Sequence, residues 1–69
     1  MAESIRVNGE ERPLQARVLA DLVRQMGFDP DRPGLAAAVN GELIPRGRWS
    51  GQLLSPGDSV ELVGATQGG

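Results

Sequence analysis

Leu19-Ala20-Asp21-Leu22-Val23-Arg24-Gln25-Met26-Gly27 is the one stretch of this chain with a convincing helical period, and its place between two turn signals decides the fold. Leu19, Leu22, Val23 and Met26 fall at i, i+3, i+4 and i+7, which puts them on a single apolar stripe. Asp21, Arg24 and Gln25 face away from that stripe. Gly27 stands where a left-handed C-cap belongs, and Pro30 blocks continuation soon after. At the other end, Ala16-Arg17 offers no capping oxygen, so the first turn is predicted to fray.

Upstream of the helix, Ile5 and Val7 alternate with Ser4 and Arg6, the period of a half-buried strand. Asn8-Gly9 follows, a hairpin signal because both residues tolerate positive φ. The return strand runs from about Glu10 to Leu14, with Pro13 marking an edge position or the strand's end. Downstream, residues 28–34 read as a loop containing Pro30, Pro33 and two aspartates. Leu35-Ala36-Ala37-Ala38-Val39 is apolar throughout, as a central strand buried on both faces would be. Its alanines also suit a helix, but Pro33-Gly34 and Asn40-Gly41 on either side favour a strand. Asn40-Gly41 repeats the hairpin signal and leads into Leu43-Ile44, which Pro45 stops. The tetrapeptide Val-Asn-Gly-Glu therefore occurs twice, at 7–10 and 39–42, as two uses of one turn chemistry in otherwise different surroundings.

Residues 46–55 form an irregular segment with the single tryptophan, Trp49, and with Leu53-Leu54 expected to pack inward. Pro56-Gly57-Asp58 is a turn, and Val60-Glu61-Leu62-Val63 alternates as a final strand with Val60 and Leu62 on the core face. The element order is ββαβ(β)β. Hairpins segregated around one helix make an α+β domain. This layout predicts a β-grasp, ubiquitin-like fold with a mixed sheet of four to five strands and one main helix. The reading assigns residues 1–64 to the domain and residues 65–69 to a flexible C-terminal tail.

Composition narrows the chemistry. The 69 residues include neither cysteine nor histidine. Disulfides, thiolate ligands and thiol nucleophiles are thereby excluded, as are the common zinc sites and the usual neutral-pH general base. The net charge is −2, and all seven cations are arginines spread from Arg6 to Arg48. That distribution gives no basic footprint for nucleic acid. No apolar run approaches the ~20 residues of a membrane span, and the first residues lack the pattern of a signal peptide. The expectation is a cytoplasmic domain with no membrane or nucleic-acid partner, too poor in side-chain chemistry to be an enzyme by itself.

What chemistry remains is at the end of the chain. Gly64-Ala65-Thr66-Gln67-Gly68-Gly69 carries no charged side chain and almost no bulk. Six extended residues reach about 20 Å, and glycine lets a backbone enter a narrow channel because no Cβ stands in the way. A carboxylate delivered this way can be made an acyl-adenylate by ATP and then attacked by a sulfur or nitrogen nucleophile. Nothing in the chain performs that activation, so a partner enzyme must.

The residues that carry a family resemblance are Val7-Asn8-Gly9-Glu10, Leu19-Ala20-Asp21-Leu22, Ala38 through Arg46, Trp49, Gly57 through Val63, and the closing Ala65-Thr66-Gln67-Gly68-Gly69. Taken in order they span nearly the whole chain, and the sequence resembles the ThiS family of ubiquitin-like sulfur carriers in bacterial thiamine biosynthesis. Arg17, standing where a helix-capping hydroxyl is usual, and the loop 28–34 are mild departures. The resemblance implies that Gly69 is adenylated by an E1-like adenylyltransferase of the ThiF type using MgATP, with no cofactor bound by the carrier itself. It further implies conversion to a thiocarboxylate, with sulfur from a donor such as a cysteine desulfurase system. A thiazole synthase of the ThiG type would receive the sulfur. Gly69 would hold the covalent intermediate, and Gln67 and Gly68 would thread the partner's channel. Two alternatives stay open: the small subunit of molybdopterin synthase, and a ubiquitin-like protein modifier. The Gln-Gly-Gly ending and the Val-Asn-Gly-Glu pairs argue against the former. The absence of lysine prevents the latter from building lysine-linked chains on itself.

Other side chains bear on docking. Trp49 reads as a lid on a thin core more readily than as a binding anchor. Glu61 and Val63 point away from the core beside the tail root, and are either part of a docking surface or a solvated strand face. Arg46 and Arg48, beside Trp49, read more readily as solvated loop residues than as a patch that meets an acidic partner. Asp21, Glu42 and Asp58 form no paired carboxylate site.

Overall fold

The structure is a computed structural model that describes residues 3–64. Five strands and one α-helix follow the expected order: β1 (Ser4–Val7), β2 (Glu10–Pro13), α1 (Leu19–Gln25), β3 (Leu35–Val39), β4 (Glu42–Leu43) and β5 (Ser59–Gly64). A 3₁₀ helix, Arg46–Gly51, lies between β4 and β5. The strands form one sheet in the order β2-β1-β5-β3-β4. Only the β1–β5 pair is parallel, which makes the sheet mixed and puts the last strand at its centre. This is the β-grasp arrangement.

Both hairpins close as the Asn-Gly pairs dictate. Asn8 and Gly9 have φ of 52° and 86°, and Asn40 and Gly41 have 52° and 84°. Positive φ at both central positions defines the turn whose twist matches the flanking strands. Pro13 ends β2 on the outer edge of the sheet, where its missing N–H costs no ladder bond.

The helix lays its stripe on one face of this sheet. Leu19, Ala20, Leu22 and Val23 are buried with Ile5, Val7, Ala37, Val39, Val60 and Leu62, and Met26 packs against that core. Gly27 follows the C-cap residue Met26 with φ of 92°, as expected of a left-handed terminator. The start of the helix differs from expectation. The N-cap is Val18, one residue further on than Arg17, and no side chain caps it. In place of a cap, the Leu19 N–H donates to the Gln52 carbonyl at 2.9 Å. Val18 pairs with Leu53, and the Leu54 N–H donates to the Arg17 carbonyl at 2.9 Å. A distant segment thus satisfies an end that would otherwise fray.

Three further expectations are corrected. β3 is not a central strand buried on both faces, since it lies between β5 and the short edge strand β4. Ala37 and Val39 are buried, Leu35 is half-buried, and Ala36 on the opposite face is exposed. The reason is coverage: one helix can cover only one side of a sheet. Leu53 does not pack inward with Leu54. It is 65% exposed while Leu54 is buried, because their side chains leave an extended backbone on opposite sides. Arg46 is not a solvated loop residue. Its guanidinium donates to the Pro30 and Leu35 carbonyls.

Trp49 is buried as the lid of the core, and its Nε1–H donates to the Ile44 carbonyl at 2.8 Å. Among the described residues, no buried side-chain nitrogen or oxygen lacks a hydrogen-bond partner. No helix among them is long and apolar enough to cross a membrane.

Candidate functional site: the uncovered face of the sheet

β5 organises the site because it alternates at the middle of the sheet. Val60 and Leu62 point to the helix and are buried, whereas Glu61 and Val63 point to the uncovered side. Registry then selects their neighbours. Val63 lies opposite Ala36, Glu61 lies opposite Ala38, and Ala38 lies opposite Leu43 on its other flank. Directly opposed residues share a face of a sheet. The result is an apolar surface made by Ala36, Ala38, Leu43 and Val63, with Glu61 set in it.

Leu43 is 70% and Val63 63% exposed, which is high for aliphatic side chains lying on one face of a sheet. The alanines between them leave a shallow groove of about 200 Å³. An exposed apolar patch of this kind marks an interaction surface more often than scattered single residues do. Its position gives it direction. Val63 is followed by Gly64, the last residue of β5, so the patch borders the point where residues 65–69 begin.

Of the residues singled out from sequence, the structure brings Glu61 and Val63 onto this one face. Gln67, Gly68 and Gly69, and the expected tail over 65–69, lie outside the described residues. The sequence reading missed Ala36, Ala38 and Leu43 as part of the surface. Ala36 and Ala38 were hidden by the uniform apolar run of β3. The signal that exposes them was present, since a chain with a single helix must leave one sheet face bare.

Among the described residues there is no group of three His, Asp or Glu side chains able to hold a metal ion. A wider groove of about 480 Å³ lies between residues 14–17 and 53–56, with Glu3 and Arg17 as its charged residues. It sits at the start of the parallel pair β1 and β5, the end opposite to Gly64.

Comparison with known proteins agrees with this geometry. The profile of the ThiS family matches residues 2–69. The sulfur carrier protein ThiS of Thermus thermophilus is 35% identical over 63 residues, covering 91% of this chain and 95% of that protein. In structure, the chain resembles the crystal structure of the thiamine biosynthesis protein ThiS from Geobacter metallireducens, with a TM-score of 0.77 at 20% identity. That alignment covers 96% of this chain and 99% of the other, and it supports the β-grasp fold. Sequence, topology and an uncovered face beside the C-terminal strand end converge, and the chain belongs to the ThiS family of sulfur carriers.

Proposed function

We propose that this protein carries sulfur as a thiocarboxylate on Gly69 and delivers it for thiazole formation in thiamine biosynthesis. In the first step the Gly69 carboxylate attacks the α-phosphorus of MgATP on an E1-like adenylyltransferase, releasing pyrophosphate. A sulfur nucleophile from a donor such as a cysteine desulfurase system then attacks the acyl carbon and displaces AMP. With a persulfide donor this gives an acyl disulfide. A thiol reductant then cleaves its S–S bond, leaving as a disulfide with the donor sulfur, and the thiocarboxylate that remains on Gly69 is received by a thiazole synthase. The carrier is a substrate throughout, and MgATP is used by its partner.

The observation that carries this reading is the family match across residues 2–69, which includes the Gln67-Gly68-Gly69 ending. The apolar face around Glu61 and Val63 supports it as the surface the activating enzyme grips. Docking there would leave residues 65–69 to enter the partner's site, with Gln67 and Gly68 threaded through its channel. Residues 1–64 then serve as the handle and 65–69 as the reactive arm.

The test is intact-mass spectrometry of the protein incubated with the activating enzyme, MgATP and a sulfur donor. Conversion of carboxylate to thiocarboxylate adds about 16 Da, the difference between sulfur and oxygen. An unchanged mass in the complete system counts against the carrier chemistry. High-mass adducts on other proteins would instead identify a protein modifier, and co-purification with a pterin-forming synthase would redirect the sulfur to that product.

A further inference from the structure

The tetrapeptide Val-Asn-Gly-Glu at 7–10 and 39–42 gives this chain two copies of one chemically reactive pair. In an Asn-Gly pair the glycine nitrogen can attack the asparagine side-chain carbonyl carbon, because no Cβ on the glycine crowds the approach. A bond forms from that nitrogen to Cγ, and the Cγ–Nδ2 bond breaks. Nδ2 leaves as ammonia, taking up the proton that the glycine nitrogen loses, and a succinimide ring remains. Water then opens the ring at either carbonyl, leaving aspartate or isoaspartate where asparagine stood.

The fold places both pairs in matched settings. Each asparagine and each glycine is exposed. The two asparagines share a φ of 52°, and the glycines that follow have 86° and 84°. Each asparagine is anchored to β5 through its backbone: the Asn8 N–H donates to the Val60 carbonyl at 2.9 Å, and the Asn40 N–H to the Ser59 carbonyl at 2.7 Å. Each side-chain oxygen is also held from β5. Asn8 Oδ1 accepts the Leu62 N–H at 2.8 Å, and Asn40 Oδ1 accepts the Ser59 N–H at 2.9 Å.

The leaving nitrogens are held differently. Asn40 Nδ2 donates to Asp58 Oδ1 at 3.0 Å. Asp58 is itself fixed, since its other oxygen accepts the Ser55 N–H at 2.8 Å. Asn8 Nδ2 has no hydrogen-bond partner among the described residues, so only one end of that amide is tied. Two tied ends resist the rotation that brings Cγ of Asn40 to the Gly41 nitrogen. The Asp58 carboxylate also opposes the negative charge that develops on Oδ1 as the glycine nitrogen adds.

We infer that Asn8 is the site of spontaneous deamidation in the folded protein, and that Asp58 protects the otherwise equivalent Asn40. The product carries one more negative charge on a chain whose net charge is −2. Its isoaspartate form also inserts a methylene into the backbone of the first turn. Neither consequence depends on the carrier function.

The experiment incubates the full chain in mildly alkaline buffer and follows each pair by peptide mapping with mass spectrometry. Replacing the side-chain NH2 by OH adds about 1 Da. Asn8 is expected to convert about tenfold faster than Asn40, the factor carried by one hydrogen bond to a charged group. In urea strong enough to unfold the chain the two rates should become equal, because the flanking residues are the same. Asp58→Ala, shown to be folded by far-UV circular dichroism, should raise the Asn40 rate to that of Asn8. Equal native rates, a faster Asn40, or protection of both pairs in the folded chain would each overturn the inference. Unequal rates in urea overturn it too, by tracing the difference to sequence instead of fold. Slow conversion of Asn40 in folded Asp58→Ala removes the role given to Asp58. The native and urea rates of the wild-type chain decide the matter even where Asp58→Ala does not fold.

Discussion

The Arg46 guanidinium lies 4.6 Å from the centre of the Trp49 ring while donating hydrogen bonds to the carbonyls of Pro30 and Leu35. One side chain thus fastens the loop after the helix to the lid of the core. Stacking on the indole and bonding to two carbonyls use the flat face and the forked edge of the same group.

Arg46→Ala is expected to cost about 2–3 kcal/mol, combining lost charged hydrogen bonds with the cation–π contact. Arg46→Lys should recover less than half of that, because an ammonium cannot reach both carbonyls and cover the ring together. Urea midpoints of the two variants, compared at equal slope, check the ordering.

Trp49 is the large side chain that this small core depends on. Trp49→Ala is expected to cost about 3–5 kcal/mol, comparable to the ~3–5 kcal/mol that a core in so small a domain supplies. The variant should therefore be unfolded at room temperature, as far-UV circular dichroism would show. Trp49→Phe keeps most of the volume but leaves the Ile44 carbonyl without its donor, at a cost of about 1–2 kcal/mol.

Changes on the uncovered face should divide stability from binding. Leu43→Asp with Val63→Thr is expected to shift unfolding free energy by only about 0.5 kcal/mol, as surface substitutions do. Affinity for the activating enzyme should fall at least about tenfold if this face is the proposed grip, because apolar contact would be lost at its centre. Calorimetric titration of the variant against the enzyme measures this directly. Unchanged affinity would place the grip elsewhere.

Deletion of Gly69 should leave the thermal midpoint and the amide spectrum of residues 3–64 unaltered while abolishing pyrophosphate exchange. An unfolded deletion variant would make the end of the chain part of the fold and contradict its role as a reactive arm.

Gly27→Ala gives a calibrated backbone test. No atom lies within 4 Å of the position its Cβ would occupy, so crowding is absent and only the φ of 92° opposes the change. The expected loss is about 1 kcal/mol, read from the same urea midpoints.

Much of the architecture was legible from local pattern. The two Asn-Gly pairs force positive φ and so close hairpins without tertiary help. The stripe from Leu19 to Met26 commits α1 to one buried face, and the alternation at Val60 and Leu62 does the same for β5. The glycine-rich ending, together with the absence of cysteine and histidine, directs the proposed chemistry to Gly69. These features depend on residues close in sequence or on composition, which is why sequence alone determined them.

The tertiary structure decided which side of each element meets which neighbour. Only strand order could place β3 beside an edge, exposing Ala36 and leaving Ala38 half-buried on the uncovered face. Only registry could set Leu43 and Val63 beside the same alanines. The Val18–Leu53 pairing, the reach of Arg46 to Pro30 and Leu35, and the Asn8 contact with Leu62 join residues that no local period relates. The hydrophobic pattern specifies that a face must be buried. Which distant groups then complete its borders is fixed by chain topology, because a hydrogen bond or a packed contact needs atoms brought together and not merely residue types.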